Sequence, residues 1–397
     1  MKKLSLSVFF LILLIVGCAE KPKNIGDSLL DQSDIFNIED IVVYSSSDTS
    51  YRIAYAAGFS STLLAGKLSN NDESITLINF LPDESIDSLK DAVIDTVELS
   101  LFIEYRLQPA SPMIELDIKK IETSWSQSTF TYDSLPLLQI SADSILGTFK
   151  DSMNYNATII AQINKDYIRR WADSYIDTGN HSKFYGFALQ ARTIPTGLIG
   201  FTSFNSPLEI FPRLLIKYTK NGTRDSVVLT YGEDTFVSKF ATPPTLTPIT
   251  VQGSFGIRSK INFNLDYLKN KPLVNRPTIN KASLELTLDT TANTLSGYVP
   301  DSVVAFLAMD SSIVSDRSDS TIFVFGYRKE VVPNSSPIYS FNVANNVQRW
   351  INGLKPNYGL TLRWAAEFSS ADKVVFFSST AADSTKRPKI KITYSTK

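Results

Sequence analysis

Apolar residues recur at every second position in several stretches of the chain. Val97, Leu99, Leu101 and Ile103 alternate with Glu98, Ser100 and Phe102, and Leu284, Leu286 and Leu288 alternate with Glu285 and Thr287. Ile390, Ile392 and Tyr394 do the same against Lys389, Lys391 and Thr393. A period of two sends one set of side chains to a core and the other to water, so each stretch predicts a half-buried β-strand. A helical stripe interrupts this pattern once in each half. Ile163, Tyr167, Ile168 and Trp171 form the first, and Val343, Val347, Trp350 and Ile351 the second. Asn164 and either Asn342 or Asn345 stand where N-caps belong, and Gly353 where the second helix stops. At that spacing the tryptophans read as core plugs. The fold class expected is all-β.

The halves end alike. Phe211-Pro212-Arg213-Leu214-Leu215-Ile216-Lys217-Tyr218 is echoed by Arg387-Pro388-Lys389-Ile390-Lys391-Ile392-Thr393-Tyr394. Such a repeat, about 175 residues long, is large enough to be a domain. After each helix a glycine opens a strand, at Gly186 and Gly359. The expected architecture is two tandem jelly-roll-like antiparallel β-sandwiches, each with one short helix, over residues 41–219 and 226–397. Lys220 to Asp225, with its Asn221-Gly222 turn signal, is expected to separate them as the joint of a stiff rod.

Lys2 and Lys3 precede an apolar run from Leu4 to Val16, shorter than the roughly 20 residues a membrane-spanning helix needs. Residues 1–17 therefore read as a secretory signal. Ile15-Val16-Gly17-Cys18 resembles a bacterial lipobox, which implies cleavage before Cys18 and acylation of its thiol and amino group. Each buried acyl CH₂ contributes about 0.8 kcal/mol, so two or more chains hold a protein to lipid. Membrane lipid, through acylated Cys18, is the first expected partner. Residues 18–40 read as a lipidated polar tether that also has the makings of an edge strand. Ala19 is not the aspartate that holds such proteins at an inner membrane, so the expected location is the cell envelope, at the outer membrane.

With 39 basic and 40 acidic residues the net charge is −1, which leaves no field for a nucleic acid backbone, and none is expected as a partner. Hydrophobic residues make up 43% of the chain and supply cores for two domains; with Cys18 the only cysteine, disulfides cannot. His181 is the only histidine, in a polar stretch, and no G-x-S-x-G elbow accompanies it. No residue stands out as catalytic, cofactor-binding or metal-ligating, and the chain is not expected to be an enzyme. Asp310, Asp316 and Asp319 share an acidic stretch whose spacing differs from an EF-hand loop and reads as a solvated hairpin.

Several stretches together resemble the DNRLRE-type domains, extracellular β-sandwich modules of which some are carbohydrate-binding. Ser61 to Gly66 and Thr76 to Phe80 are similar to two of the family's strands, and Ile121 to Tyr132 with Pro136 to its tryptophan-containing segment. The second half offers Glu233 to Val237, Arg258 to Leu265, Arg349-Trp350 and the closing Arg387-Pro388 strand. Gln127 replaces the usual acid, and the second half lacks a clear tryptophan segment. The resemblance implies a β-sandwich and a polysaccharide partner. Sugars stack on aromatic rings, so Tyr51, Tyr55, Tyr175, Tyr185, Tyr298 and Tyr358 are the candidate platforms, whereas the strand parity of Trp125 and Trp364 points to core. A structural or adhesive protein contacting an envelope protein stands beside that reading, because no catalytic domain accompanies the modules.

Overall fold

The computed structural model describes residues 37–107, 113–152, 154–178, 184–192, 197–244, 248–272, 276–297, 301–312, 318–329 and 336–396. The signal segment, Cys18 and most of the tether lie outside these, as do His181, Tyr298 and Asp316. Strands account for 52% and helices for 12%, and the sheets are antiparallel, as the alternation requires.

The first half runs β1 (Asn37–Arg52), β2 (Thr62–Lys67), β3 (Glu73–Phe80), β4 (Val93–Leu107), β5 (Met113–Ile121), β6 (Ile140–Ser152), β7 (Ala157–Gln162), α1 (Lys165–Thr178), β8 (Phe187–Ala191), β9 (Gly197–Thr202) and β10 (Arg213–Lys220). The second runs β11 (Thr223–Leu229), β12 (Gly232–Lys239), β13 (Ile249–Gln252), β14 (Ile257–Phe263), α2 (Asp266–Lys269), β15 (Thr278–Thr287), β16 (Ser302–Ala308), β17 (Ser318–Lys329), β18 (Ile338–Asn342), α3 (Ala344–Ile351), β19 (Leu360–Trp364), β20 (Lys373–Phe376) and β21 (Lys389–Thr396). The order of elements repeats. So do the ladders: β4–β10, β4–β7, β3–β8, β5–β8 and β5–β6 match β15–β21, β15–β18, β14–β19, β16–β19 and β16–β17.

Both helical stripes lie against their cores. Ile168, Trp171 and Ala172 are buried in the first, and Val347, Trp350 and Ile351 in the second. The Asn164 side chain accepts the Tyr167 N–H at 3.1 Å and so caps α1, and that of Asn342 accepts the Ala344 N–H at 3.3 Å at the start of α3. Gly186 and Gly359 both have φ of 87°, and a Cβ on either would meet the backbone of the neighbouring strand, at Ile78 or Ile261. Only glycine opens a strand there.

Two features differ from the expectation. Asn221 and Gly222 have φ of 50° and 79°, the left-handed pair of a type I′ turn, and they join β10 to β11 in a two-residue hairpin with Lys220 opposite Thr223. Lys220 to Asp225 is therefore not a joint between domains. Sheet membership also crosses the expected boundaries. β11 pairs β10 and β12 pairs β3, so the opening strands of the second repeat lie in the first sheet. β1 pairs β21 through Asn37–Tyr44 and β14 through Ser45–Arg52, so the opening strand of the chain, including residues 37–40 of the expected tether, lies in the second.

That double pairing closes the second sheet. The ring runs β1-β21-β15-β18-β17-β16-β19-β14 and back to β1, with β13 and β20 attached to it. A barrel is thus found where a second two-sheet sandwich was expected. The first sheet holds β2–β12 and stays open, with β11 and β6 at the two ends of its path. Each half has its own apolar core, and Leu64, Tyr105, Leu198, Phe236, Phe255 and Ala371 form a smaller one at the junction. There the Tyr105 hydroxyl donates to Asp372 Oδ2 at 2.9 Å and accepts the Ala371 N–H at 3.0 Å.

The incoming strands are latched alike. Asp234 Oδ2 on β12 accepts the Phe204 N–H at 2.6 Å, and Asp48 Oδ2 on β1 accepts the Ser379 N–H at 2.5 Å. Asp234 is fully buried and, among the described residues, its Oδ1 has no hydrogen-bond partner. Burial lifts its pKa to about 7 from 3.8, against the Phe204 N–H, which lowers it. The folded protein therefore holds this proton where the unfolded chain has released it. Stability from this group is present below about pH 4 and is lost as pH rises through about 7. We expect Asp234→Asn, whose amide oxygen keeps the Phe204 bond, to remove that slope; urea unfolding of both proteins from pH 4 to 8 checks it by the difference in midpoint.

Candidate functional site

The outer faces of the two halves diverge where their cores agree. On the first, Ile75, Leu77, Ala188 and Val237 make an apolar patch, and residues 122–139 fold over it with Trp125, Phe130, Leu135 and Leu138 in contact. Trp125 Nε1 donates to the Tyr185 carbonyl at 2.8 Å and the ring meets Phe130 at 6.4 Å, so the tryptophan segment is a cover. The matching connection in the second half, residues 309–317, is about half as long.

Under it the equivalent positions are polar. Arg258 stands where Ile75 does, Lys260 where Leu77 does, and Thr361 where Ala188 does. The Arg258 guanidinium donates to both oxygens of Glu367 at 2.8 and 2.7 Å, with the two side chains only 5% and 2% exposed. Lys260 Nζ donates to the Asp310 and Ser312 carbonyls at 2.7 and 3.1 Å, and burial lowers its pKa against the pull of Asp310.

Beyond this polar strip lies a row of rings. On β17, Ile322 and Val324 turn to the core and Phe323, Phe325 and Tyr327 turn outward, 46%, 44% and 57% exposed. Phe325 and Tyr327 stack with centroids 6.2 Å apart and planes 24° from parallel, and Phe323 meets Phe325 edge-on at 5.7 Å. Register carries the row across the sheet: Phe323 lies opposite Phe306, and Phe325 opposite Val304, which lies opposite Arg363. The Arg363 guanidinium sits 3.7 Å from the Phe306 ring centre, a cation–π contact that holds a charge at the edge of an apolar floor. A groove of about 270 Å³ runs between Phe306, Phe323 and Phe325 on one side and Glu367 and Phe368 on the other.

The first half is the internal control for that row. Its matching positions are Lys119, Asp117, Thr148, Lys150 and Gln190, with the exposed Ile145 in the place of Phe323. Asp117 accepts from Arg192 Nε at 2.7 Å and from the Thr148 hydroxyl at 3.2 Å, and Lys150 pairs with Glu115 at 3.0 Å. One backbone thus carries mostly polar side chains and a lone aliphatic one on one copy and rings on the other, so the fold does not call for the rings.

The candidate tyrosines are not brought together, and two of them, Tyr51 on β1 and Tyr175 on α1, are not in loops. Tyr51 is buried, Tyr55, Tyr175, Tyr185 and Tyr358 are half-buried, and Tyr175 and Tyr185 pack against separate clusters of the first half. Trp364 is core, its Nε1 donating to Ser370 Oγ at 2.9 Å, as its parity required. Phe323, Phe325 and Tyr327 escaped the sequence reading because Thr321-Ile322-Phe323-Val324-Phe325 is unbroken in apolar character from Ile322 onward, the signature of a strand buried on both faces.

Among the described residues no group of three or more His, Cys, Asp or Glu side chains is placed to hold a metal ion, and no helix is long and apolar enough to cross a membrane. Asp310 Oδ1 accepts the Ser312 N–H, and the Thr321 hydroxyl and N–H, with Lys355 behind them, hold the Asp319 carboxyl below its ordinary pKa. A larger cavity of about 550 Å³ lies between the halves, but its carboxylate, Asp72, is taken up by Asn70 and the Ala241 N–H. No protein-family model and no curated protein matches the sequence.

The face rests on the buried Arg258–Glu367 pair. Glu367→Ala leaves the guanidinium in a low-dielectric site without its carboxylate, which typically costs about 3–5 kcal/mol. We expect a destabilisation of that order, read from the urea midpoint, and a much smaller one for Glu115→Ala on the exposed pair of the first half.

Proposed function

We propose that the chain is a lipid-anchored protein of the cell envelope, at the outer membrane, whose second module binds polysaccharide through the ring row on β16 and β17. The observation that carries this reading is the outward row Phe323, Phe325 and Tyr327, with Arg363 over Phe306, in which Phe306, Phe325 and Tyr327 stand at positions that are charged or polar in the first module and Phe323 at that of the exposed Ile145. Rings spaced along one strand match the apolar faces of successive sugars, and a few polar groups at the rim fix their hydroxyls. The DNRLRE-like motifs and the jelly-roll-like description of each module belong to the same proposal, as do the absence of a catalytic function and the anchoring role of Cys18.

Phenylalanine at two of the three exposed positions favours a second reading, a docking face for another envelope protein, since neither ring offers a polar handle to a sugar hydroxyl. Affinity electrophoresis of the soluble chain, starting at residue 19, against alginate, pectins, xylans and glucans separates the two. We expect retardation by one class, weakened about tenfold by Phe325→Ala or Tyr327→Ala, the equivalent of about 1.4 kcal/mol. Uniform indifference to all four classes sinks the glycan reading and leaves the protein-docking one.

Anchoring has its own test. Cys18→Ser is expected to move the protein from the membrane pellet to the soluble fraction of lysed cells, with an unchanged urea midpoint.

A further inference from the structure

The two opening strands fill equivalent slots. Residues 37–52 and 223–238 correspond with one constant offset of 186 positions (234 minus 48): Glu39 lies opposite Tyr394 as Asp225 lies opposite Tyr218, Ile41 opposite Ile392 as Val227 opposite Ile216, and Asp48 opposite Ile261 as Asp234 opposite Ile78. The inward residues match too, Ile41 and Val43 packing on one core as Val227 and Leu229 do on the other. The slot of the first repeat is thus filled by the strands that open the following repeat. By the same rule β1, which opens the first repeat, is a donor to a repeat that precedes it. Within one molecule it closes the second repeat instead, across more than 350 residues of chain, with Thr393 Oγ1 donating to Asp40.

We propose that β1 also pairs with the β14–β21 slot of a second copy of this chain, so that molecules assemble head to tail by strand donation. The exchanged contacts are the same ladders, the same inward Ile41 and Val43 and the same Asp48 latch, so the closed and donated states differ mainly in the entropy of closure and in the path of residues 53–61. An emptied slot would leave the edges of β14 and β21 unpaired, which makes an open monomer the least favourable state and a second copy's β1 its natural occupant. The partner is this chain itself, and the inference holds whether or not the ring row binds a glycan.

Val42 and Lys391 face each other across the β1–β21 ladder, and both point outward. In the soluble chain from residue 19, which has no cysteine of its own, Val42→Cys and Lys391→Cys in one molecule should form an intramolecular disulfide in dilute solution and so show that the pair is competent. The decisive sample mixes the two single variants, co-refolds them at rising concentration and oxidises them. The expected result is a disulfide-linked heterodimer, mapped to positions 42 and 391 by peptide mass, that grows with concentration. Val42→Cys mixed with Tyr231→Cys, an exposed position that β1 does not face, gives the collision background. A 42–391 heterodimer no more abundant than that background, with the intramolecular disulfide intact in the double variant, overturns the proposal.

Discussion

Every sheet edge carries a row of backbone donors and acceptors that must find partners, and here three of those rows are satisfied from a distance in sequence. The β14 and β21 edges both depend on β1, and the β3 edge depends on β12. Ile41 and Val43 enter the second core only because this ladder places them there. The crossing strands also build the junction. Arg52 at the end of β1 donates to the carbonyl of Ser238, its own counterpart on β12, and lies over the Tyr132 ring at 3.5 Å. The halves are consequently tied by two strand crossings and by the Tyr105–Asp372 contact, where a single linker would have left them free to reorient.

Interior and exterior positions of the two halves agree to different degrees. Inward positions keep their apolar character from one copy to the other, since a core admits little else at close-packed density. Outward positions obey no such rule. Ile75 and Leu77 lie beneath a cover built around Trp125, whereas Arg258 and Lys260 satisfy their charges on Glu367 and on loop carbonyls. Duplication therefore left one scaffold with two unlike surfaces, one closed and charged and one open and aromatic.

Alternation announced β4, β15 and β21, the helical stripes announced α1 and α3, and the parity of Trp364 announced its burial, because each of these is a local consequence of side-chain direction. Asn221-Gly222 was legible as a turn; that it closes a hairpin inside one sheet was not, since turn chemistry says nothing about which sheet the next strand joins. Membership of β1 was hidden for the same reason. A strand's sequence records which of its faces is buried but not who lies beside it. The ring row was masked differently, by core residues Ile322 and Val324 interleaved with Phe323 and Phe325, a pattern whose two faces look alike on paper. The candidate tyrosines are scattered over β1, α1 and connecting segments, while the open aromatic surface lies on β17.

The pairing of β1 with β21 also sets an order of events in time. A chain delivered from its amino end, through a ribosome or an export channel, releases β1 long before β21 exists. The first module can finish once β12 has emerged, but the barrel cannot close until the last strand is out. Until then the Asn37–Tyr44 half of β1 waits with its backbone unpaired, although Ser45–Arg52 can already pair with β14, a state prone to wrong contacts and dependent on protection. A molecule that stops short of Lys389 never closes at all, so closure reports that the whole chain has arrived.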